Sequence, residues 1–360
     1  MVTANLLEWV AKQASTIAPS PVYPRLVERV MRAMHATTDF WSMIDRANIP
    51  VVFAAAIVEA LRKEGWVDVE NKSLEWTDSG REVLEELGIA SLPTYTCAAC
   101  EGRGIRYPDG QEWVNVFMRY ERQRPLPRQE YDQGSVTPST TLSRVAFIEQ
   151  WGDLAGKDVL VMGAEDDLMG LAIALTGQAR NVLILDIDER IIRFDQDVLA
   201  QEGIRNVTAE VFDLRQPFPA EWVGAFDVFI TDPPETLAAF QAFIARGVAS
   251  LREVGSSGYF GLTLRDSSLY RWQKFQRALV GDLGMVITDI IQDFNHYQNW
   301  EYHENTRAGR LNPTGAPPQT IWYRSAWYRI EALPGFAGVN EPLSNAVFES
   351  LYSDEEGVTT

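Results

Sequence analysis

DVLVMG (158–163), NVLILD (181–186) and FDVFITDPPE (226–235) decide the fold of this chain. Each is a short apolar, β-branched run with acid at its carboxyl end. Uncharged runs of this kind suit strands of a sheet covered on both faces. Helical stretches over 167–176, 188–202, 235–253 and 268–281 alternate with them and with NVTAEVFD (206–213) and GYFGLT (258–263). Such alternation predicts parallel strands joined by right-handed crossovers. MVITDIIQDF (285–294) and TIWYRSAWYRIEA (320–332) then follow as two long strands across a polar loop, and they pair most simply as an antiparallel edge. The expected fold is α/β, a Class I methyltransferase-like (Rossmann-like) doubly wound sheet over residues 136–333.

The remainder of the chain reads differently. Residues 1–95 carry RLVERVMRAMHA after Pro24, a second helix from Thr38-Asp39, a third from Pro50, a hairpin around Asn71-Lys72 and a last helix after Thr77. Three helices, a hairpin and a helix form a small winged-helix-like domain. DNA binding is the tempting function for such a domain. Its 9 basic and 13 acidic residues oppose a phosphate backbone, and VVFAAAIVEAL is too apolar for a groove. Packing, dimerisation or covering a site fits better. Residues 96–135 read as a linker rich in Arg, Pro, Gly and Tyr. Within it, Cys97-Ala98-Ala99-Cys100 supplies half of a tetrahedral metal site, a disulfide or two free thiols, with no catalytic role assigned. The acidic tail, 334–360, is expected to be flexible.

Composition narrows the function. Lys and Arg number 32 and Asp and Glu 50 in 360 residues, a formal charge of −18. That field repels polyanions and favours cationic ligands. There is no uncharged run of roughly 20 apolar residues, as a bilayer span needs, and no signal peptide is read at the N-terminus. The chain is expected to work in the cytoplasm, away from membrane and nucleic acid.

The ligand of a doubly wound sheet lies beyond the carboxyl ends of its strands. Here those ends read Gly163-Ala164-Glu165-Asp166-Asp167, Asp186-Ile187-Asp188-Glu189, Asp213 and Asp232-Pro233-Pro234-Glu235. Acid after the second strand suits ribose hydroxyls, and acid after the third suits an adenine amino group. The first loop lacks G-x-G-x-x-G, which disfavours NAD or FAD. Three consecutive acids would also repel the carboxylate of S-adenosylmethionine, whereas the decarboxylated form ends in an ammonium that they attract. In Asp232-Pro233-Pro234-Glu235, Glu stands where a base-stacking aromatic would serve a nucleic-acid amino-methyltransferase, and it can pair with an amine. Asp188 serves equally well as a helix cap.

YDQGSVTPSTTLSRVAFI, GDLAGKDVLVMG, LDIDER, FDVFITDPPET, GYFGLT and VITDIIQDFNHYQNW together resemble the branched-chain polyamine synthases, the N(4)-bis(aminopropyl)spermidine synthase family. The likeness runs over most of the chain. It departs in the first loop, where the family has three aspartates directly after Gly, so the catalytic register can shift by one position. The resemblance implies transfer of two aminopropyl groups from decarboxylated S-adenosylmethionine, a co-substrate rather than a resident cofactor, to the internal secondary amine of spermidine. Methylthioadenosine leaves each time.

Asp166 is then expected to handle the proton, followed by Asp167 and Asp232. Gly163, Glu165, Asp186, Asp213, Gln133 and Thr137 are expected around the co-substrate, Glu165 holding its ammonium. Glu235, Tyr131, Asp293, Asn295, Tyr297 and Trp300 are expected at the substrate. No metal is expected, and a homodimer is. An amino-methyltransferase and a winged-helix regulator are the competing readings.

Overall fold

In the computed structural model the described residues are 2–91, 93, 95–108, 110–343 and 351–359. The chain opens with α1 (Val2–Ala14), α2 (Pro24–Ala36), α3 (Phe40–Ala47) and α4 (Val51–Lys63). Capping fixes several starts. Pro24 occupies the first turn of α2, and the Asp39 carboxylate accepts the Ser42 N–H at 2.7 Å to begin α3. The apolar α4 is buried over most of its length, as a helix with no polar face must be. The hairpin β1 (Val67–Glu70) and β2 (Ser73–Trp76) turns at Asn71 and Lys72, both at positive φ, and α5 (Asp78–Glu86) follows. The three expected helices are thus preceded by α1.

Beyond α6 (Glu112–Glu121) and α7 (Pro138–Gln150), β3 (Asp158–Met162), α8 (Met169–Thr176), β4 (Asn181–Asp186), α9 (Glu189–Gln201), β5 (Val207–Val211) and β6 (Val228–Thr231) alternate. The next helix runs from α10 (Leu237–Ala239) through a π-helical stretch, Phe240–Ala245, into α11 (Arg246–Ser250). It leads to β7 (Ser257–Leu262), α12 (Leu269–Arg277) and β8 (Met285–His296), then α13 (Arg307–Leu311) and β9 (Arg324–Ala332). The sheet order is β5-β4-β3-β6-β7-β9-β8. The first five are mutually parallel, and β9 runs antiparallel to both β7 and β8. This is the Class I methyltransferase-like order. Its switch point lies between β3 and β6, where ligands of doubly wound sheets bind.

Two expectations are corrected. The stretch 96–135 is more than a linker, because α6 buries Phe117 and Tyr120 in the core on one face of the sheet. Nor is the described part of the acidic tail loose. Asp354 ion-pairs with Arg271 at 2.8 Å, and Glu356 accepts hydrogen bonds from the Ser268 amide (2.6 Å) and hydroxyl (2.8 Å). Its acids are read as solvated until α12 is seen to supply a buried Arg and an open N-terminal amide as their partners.

One hydrophobic core joins the N-terminal helices to the segment between β8 and β9. Trp41 of α3 packs on Trp322 with ring centroids 4.6 Å apart, and Trp300 and Tyr323 continue the cluster toward the switch point. Trp322→Ala is expected to cost roughly 3–5 kcal/mol, the usual loss for a buried large aromatic. Denaturant unfolding monitored by tryptophan fluorescence and by far-UV dichroism should lower both midpoints together; separate transitions would contradict the shared core.

Candidate active site

Two chambers open at the carboxyl ends of β3, β4 and β6. The first spans about 570 Å³ with its open mouth included and is bordered by Gly163, Asp186, Asp213, Tyr131, Gln133 and Phe243, with Leu351 and Tyr352 of the tail. The second, about 400 Å³, is bordered by Glu235, Tyr297, Trp300 and Tyr323, with Thr359. Asp132, Asp166, Asp232 and Pro234 border both, so the chambers meet at carboxylates.

Local backbone makes room for them. Gly163 has φ of +55°, and a Cβ there would lie 2.5 Å from the Phe243 ring. Phe243 itself sits in the π-helical stretch, whose wider turn presents the ring to the chamber. At Gly261 of β7 a Cβ would come within 2.2 Å of an Asp232 oxygen, so glycine leaves the space that the carboxylate occupies.

The run Glu165-Asp166-Asp167 forms a single 3-10 turn. With about three residues per turn, successive side chains diverge by about a third of a revolution. Glu165 points into the protein and accepts the Gly170 and Leu171 amides at 2.8 and 3.0 Å, capping the start of α8, while burial raises its carboxyl to about 8. Asp167 also points inward, accepting the Val136 amide at 2.6 Å and pairing with Arg144 at 2.6 Å. Asp166 alone of the three borders the chambers, fixed by the Gly134 amide at 2.9 Å.

Asp232 faces Asp166 from β6 but is differently held. Arg144, fully buried, reaches it at 2.6 Å, and the Tyr297 hydroxyl donates to it at 2.8 Å. Burial opposes charge on Arg144, yet the Asp232 and Asp167 carboxylates hold its pKa above the ordinary value. For Asp166 the balance is reversed. Burial, then the charges of Asp186 and Asp232, push its carboxyl up to about 7. Burial raises Asp186 to about 6 and, together with Asp266 and Asp132, lifts Glu235 well above the ordinary carboxylate range.

The comparisons with known proteins agree with this architecture. A family model described as the branched-chain polyamine synthase A C-terminal domain matches residues 112–359. The chain is 41% identical over 354 residues to the N(4)-bis(aminopropyl)spermidine synthase of Methanocaldococcus jannaschii, covering 98% of this chain and 100% of that one. It is 40% identical over 350 residues to that of Thermus thermophilus, covering 96% and 97%. The chain belongs to the branched-chain polyamine synthase family. A crystal structure of the Thermus thermophilus branched-chain polyamine synthase, in complex with N4-aminopropylspermidine and 5'-methylthioadenosine, superposes with a TM-score of 0.90 at 38% identity over 99% of both chains.

Within this branched-chain polyamine synthase fold, several expected positions move. Glu165 caps α8 instead of meeting an ammonium, and Asp167 anchors Arg144 instead of facing the reacting atoms. Thr137 contacts Ser139 and Thr140 at the start of α7 and borders neither chamber. Asp293 is turned away by a break in register on β8 between Ile291 and Asn295; it has φ of +53° and pairs with Arg265 at 2.8 Å. Asn295 is buried behind the site, accepting from Arg144 at 2.8 Å. Tyr131, counted with the substrate, borders the nucleoside-side chamber. Asp188 caps α9, while Gln133 donates to it at 3.2 Å. The two cysteines are free.

Three residues escaped the sequence reading. Arg144 is the lone cation of α7, on a buried face shared with Thr140, Thr141, Phe147 and Ile148. Asp132 sits at positive φ between the chambers, and Asp266 lies behind Tyr323, whose hydroxyl donates to it at 3.0 Å. Neither sits directly at the end of a strand.

A stability signature follows from Asp166. Its folded pKa is raised, so between the unfolded value near 4 and about 7 the native state holds the extra proton, and stability falls as pH rises through that window. Asp166→Asn is expected to flatten this fall and raise the ligand-free melting temperature by a few degrees at pH 8. A melting temperature unchanged or lowered at pH 8, with the pH slope intact, would contradict the placement.

Proposed function

We propose that this chain is an aminopropyltransferase that moves two aminopropyl groups from decarboxylated S-adenosylmethionine to the internal secondary amine of spermidine, giving N(4)-bis(aminopropyl)spermidine and methylthioadenosine. The observation that carries the reading is the lining of the second chamber. Among the described residues there, four carboxylates (Asp132, Asp166, Asp232 and Glu235) stand with no Lys or Arg. A cleft of that charge is complementary to a polyamine and hostile to a carboxylate-bearing co-substrate.

In this reading the nucleoside lies in the first chamber, its ribose on Asp186 and its adenine toward Asp213. The Asp213 carboxylate also receives Arg215 at 2.8 Å, which fixes its orientation. The aminopropyl arm passes between Asp166 and Asp232. Spermidine extends along Glu235, Asp132, Tyr297 and Trp300, its terminal ammonium groups on the carboxylates and its methylenes on the aromatic wall.

The nucleophile must be an uncharged nitrogen. Holding an amine of pKa near 10 neutral at pH 7 costs roughly 4 kcal/mol. A carboxylate of pKa near the working pH is suited to accept that proton, and Asp166 is that group. With that proton on Asp166, the nitrogen lone pair attacks the carbon bonded to sulfur, the C–S bond breaks with its electrons going to sulfur, and the remaining N–H proton stays on the new tertiary ammonium. In the second transfer the tertiary amine, itself protonated at pH 7, must likewise give up its proton before it attacks, and a quaternary ammonium results. Asp232, held by Arg144 and Tyr297, offers fixed negative charge to that product. Alignment by the two chambers supplies the remaining advantage.

No helix among the described residues is long and apolar enough to cross a membrane. The reading includes a cytoplasmic homodimer working without nucleic acid, with residues 1–95 covering the acceptor side; light scattering with and without added DNA checks the assembly.

Mass spectrometry of spermidine incubated with decarboxylated S-adenosylmethionine should show two successive aminopropyl additions. Methyl transfer from S-adenosylmethionine, without aminopropyl products, would favour the methyltransferase reading. Asp166→Asn is expected to lower the first transfer by roughly 10²–10⁴-fold, the usual worth of a general base. It should also lower the second transfer, assayed from N4-aminopropylspermidine, because that amine enters protonated as well. Near-normal turnover in both steps would remove Asp166 from the proton-handling role.

A further inference from the structure

A third cleft lies away from the two chambers, between α2, α3 and the strands β8 and β9. It spans about 2040 Å³ with its open mouth included, and its lining includes Arg25, Arg29, Arg32, Arg46 and Arg324. In a chain of formal charge −18 this concentration of guanidinium groups stands out. Arg25, Arg29 and Arg32 follow one another along one face of α2. The acids at its walls are already committed: Asp45 to Arg265 and Arg324, both at 2.9 Å, Asp293 to Arg265, and Glu101 to Arg103. Glu28 is shared between Arg25 and Arg32. Arg29 donates one nitrogen to the Asn48 carbonyl at 2.7 Å, and Arg46 has no ion-pair partner among the described residues.

His296, beside the cleft, registers the resulting field. Burial, then the charges of Arg324 and Arg103, press its imidazole down to about 3 although Glu101 stands 3.6 Å away. Burial likewise holds Arg29 below its ordinary pKa, with Arg25 and Arg265 adding to the repulsion and Tyr23 and Asp293 opposing it. Guanidinium groups gathered with too few acids favour a ligand that brings several negative oxygens at once, and their planar forks match phosphate.

We propose that this cleft binds a compact multivalent phosphate, a tripolyphosphate group free or borne by a nucleoside, with Arg29 and Arg46 as its principal contacts. The site is separate from the aminopropyl-transfer chambers, and its occupant has the opposite charge.

Titration calorimetry of the full chain tests this, without polyamine, which would complex the phosphate, and with methylthioadenosine present to fill the nucleoside chamber. Sodium tripolyphosphate and ATP are the two probes. Saturable binding of tripolyphosphate is expected, weakened roughly tenfold by Arg46→Gln and by Arg29→Gln, the worth of one charge-assisted hydrogen bond. Arg193→Gln, on the exposed face of α9, should leave it unchanged. Equal affinities for the two probes assign the ligand to the phosphate chain alone, and tighter ATP binding assigns it to a nucleotide. Because Arg29 also holds Asn48, exposed Arg46 is the deciding position. No binding at millimolar tripolyphosphate, affinity unchanged in Arg46→Gln, or an equal loss in Arg193→Gln would overturn the proposal.

Discussion

Arg144 holds this active site together. A buried guanidinium costs several kcal/mol to desolvate, and it persists only where carboxylates and hydrogen bonds surround it. Here Asp167, Asp232 and Asn295 do so from three separate segments, with the Trp327 ring 4.5 Å beneath. One cation thereby ties α7, the turn after β3, the end of β6 and the edge strand β8. It also divides the acids. Asp232 and Asp167 are compensated, whereas Asp166, Asp132 and Glu235 are left to an incoming cation.

That division separates two roles for carboxylates that look alike in sequence. A carboxylate gripped by Arg144 keeps its position through the reaction. Asp166, without such a grip, is pushed up to about 7 and can take and return a proton. One residue type thereby provides both an anchor and a base. The cost is a strained ligand-free state, because like charges crowd a dry cleft; polycationic guests relieve it.

The fold was legible because its central strands are short, mostly apolar runs and many of its helices begin at Pro, Ser, Thr or Asp. The sheet order and the antiparallel edge followed from that pattern. Strand-end acids were legible as a class, and Asp186, Asp213, Asp232 and Glu235 border the chambers as expected. Their neighbours were not, for geometric reasons. A 3-10 turn sends Glu165, Asp166 and Asp167 in three directions, and a break in strand register turns Asp293 away from Asn295 and Tyr297. The tail acids read as solvent-exposed because their partners, Arg271 and Ser268, lie more than eighty residues earlier. Adjacency in the chain records which residues are acidic, not what each one faces.

Unpaired carboxylates hold protons in the free protein and release them when a polyamine, already cationic at pH 7, binds. Calorimetric titration of spermidine at pH 7, repeated in buffers of different ionisation enthalpy, counts those protons directly. Net release to the buffer is expected, with affinity improving as pH rises through about 7, where Asp166 ionises, and with release reduced in Asp166→Asn. Binding heat independent of the buffer, or net proton uptake, would contradict the account.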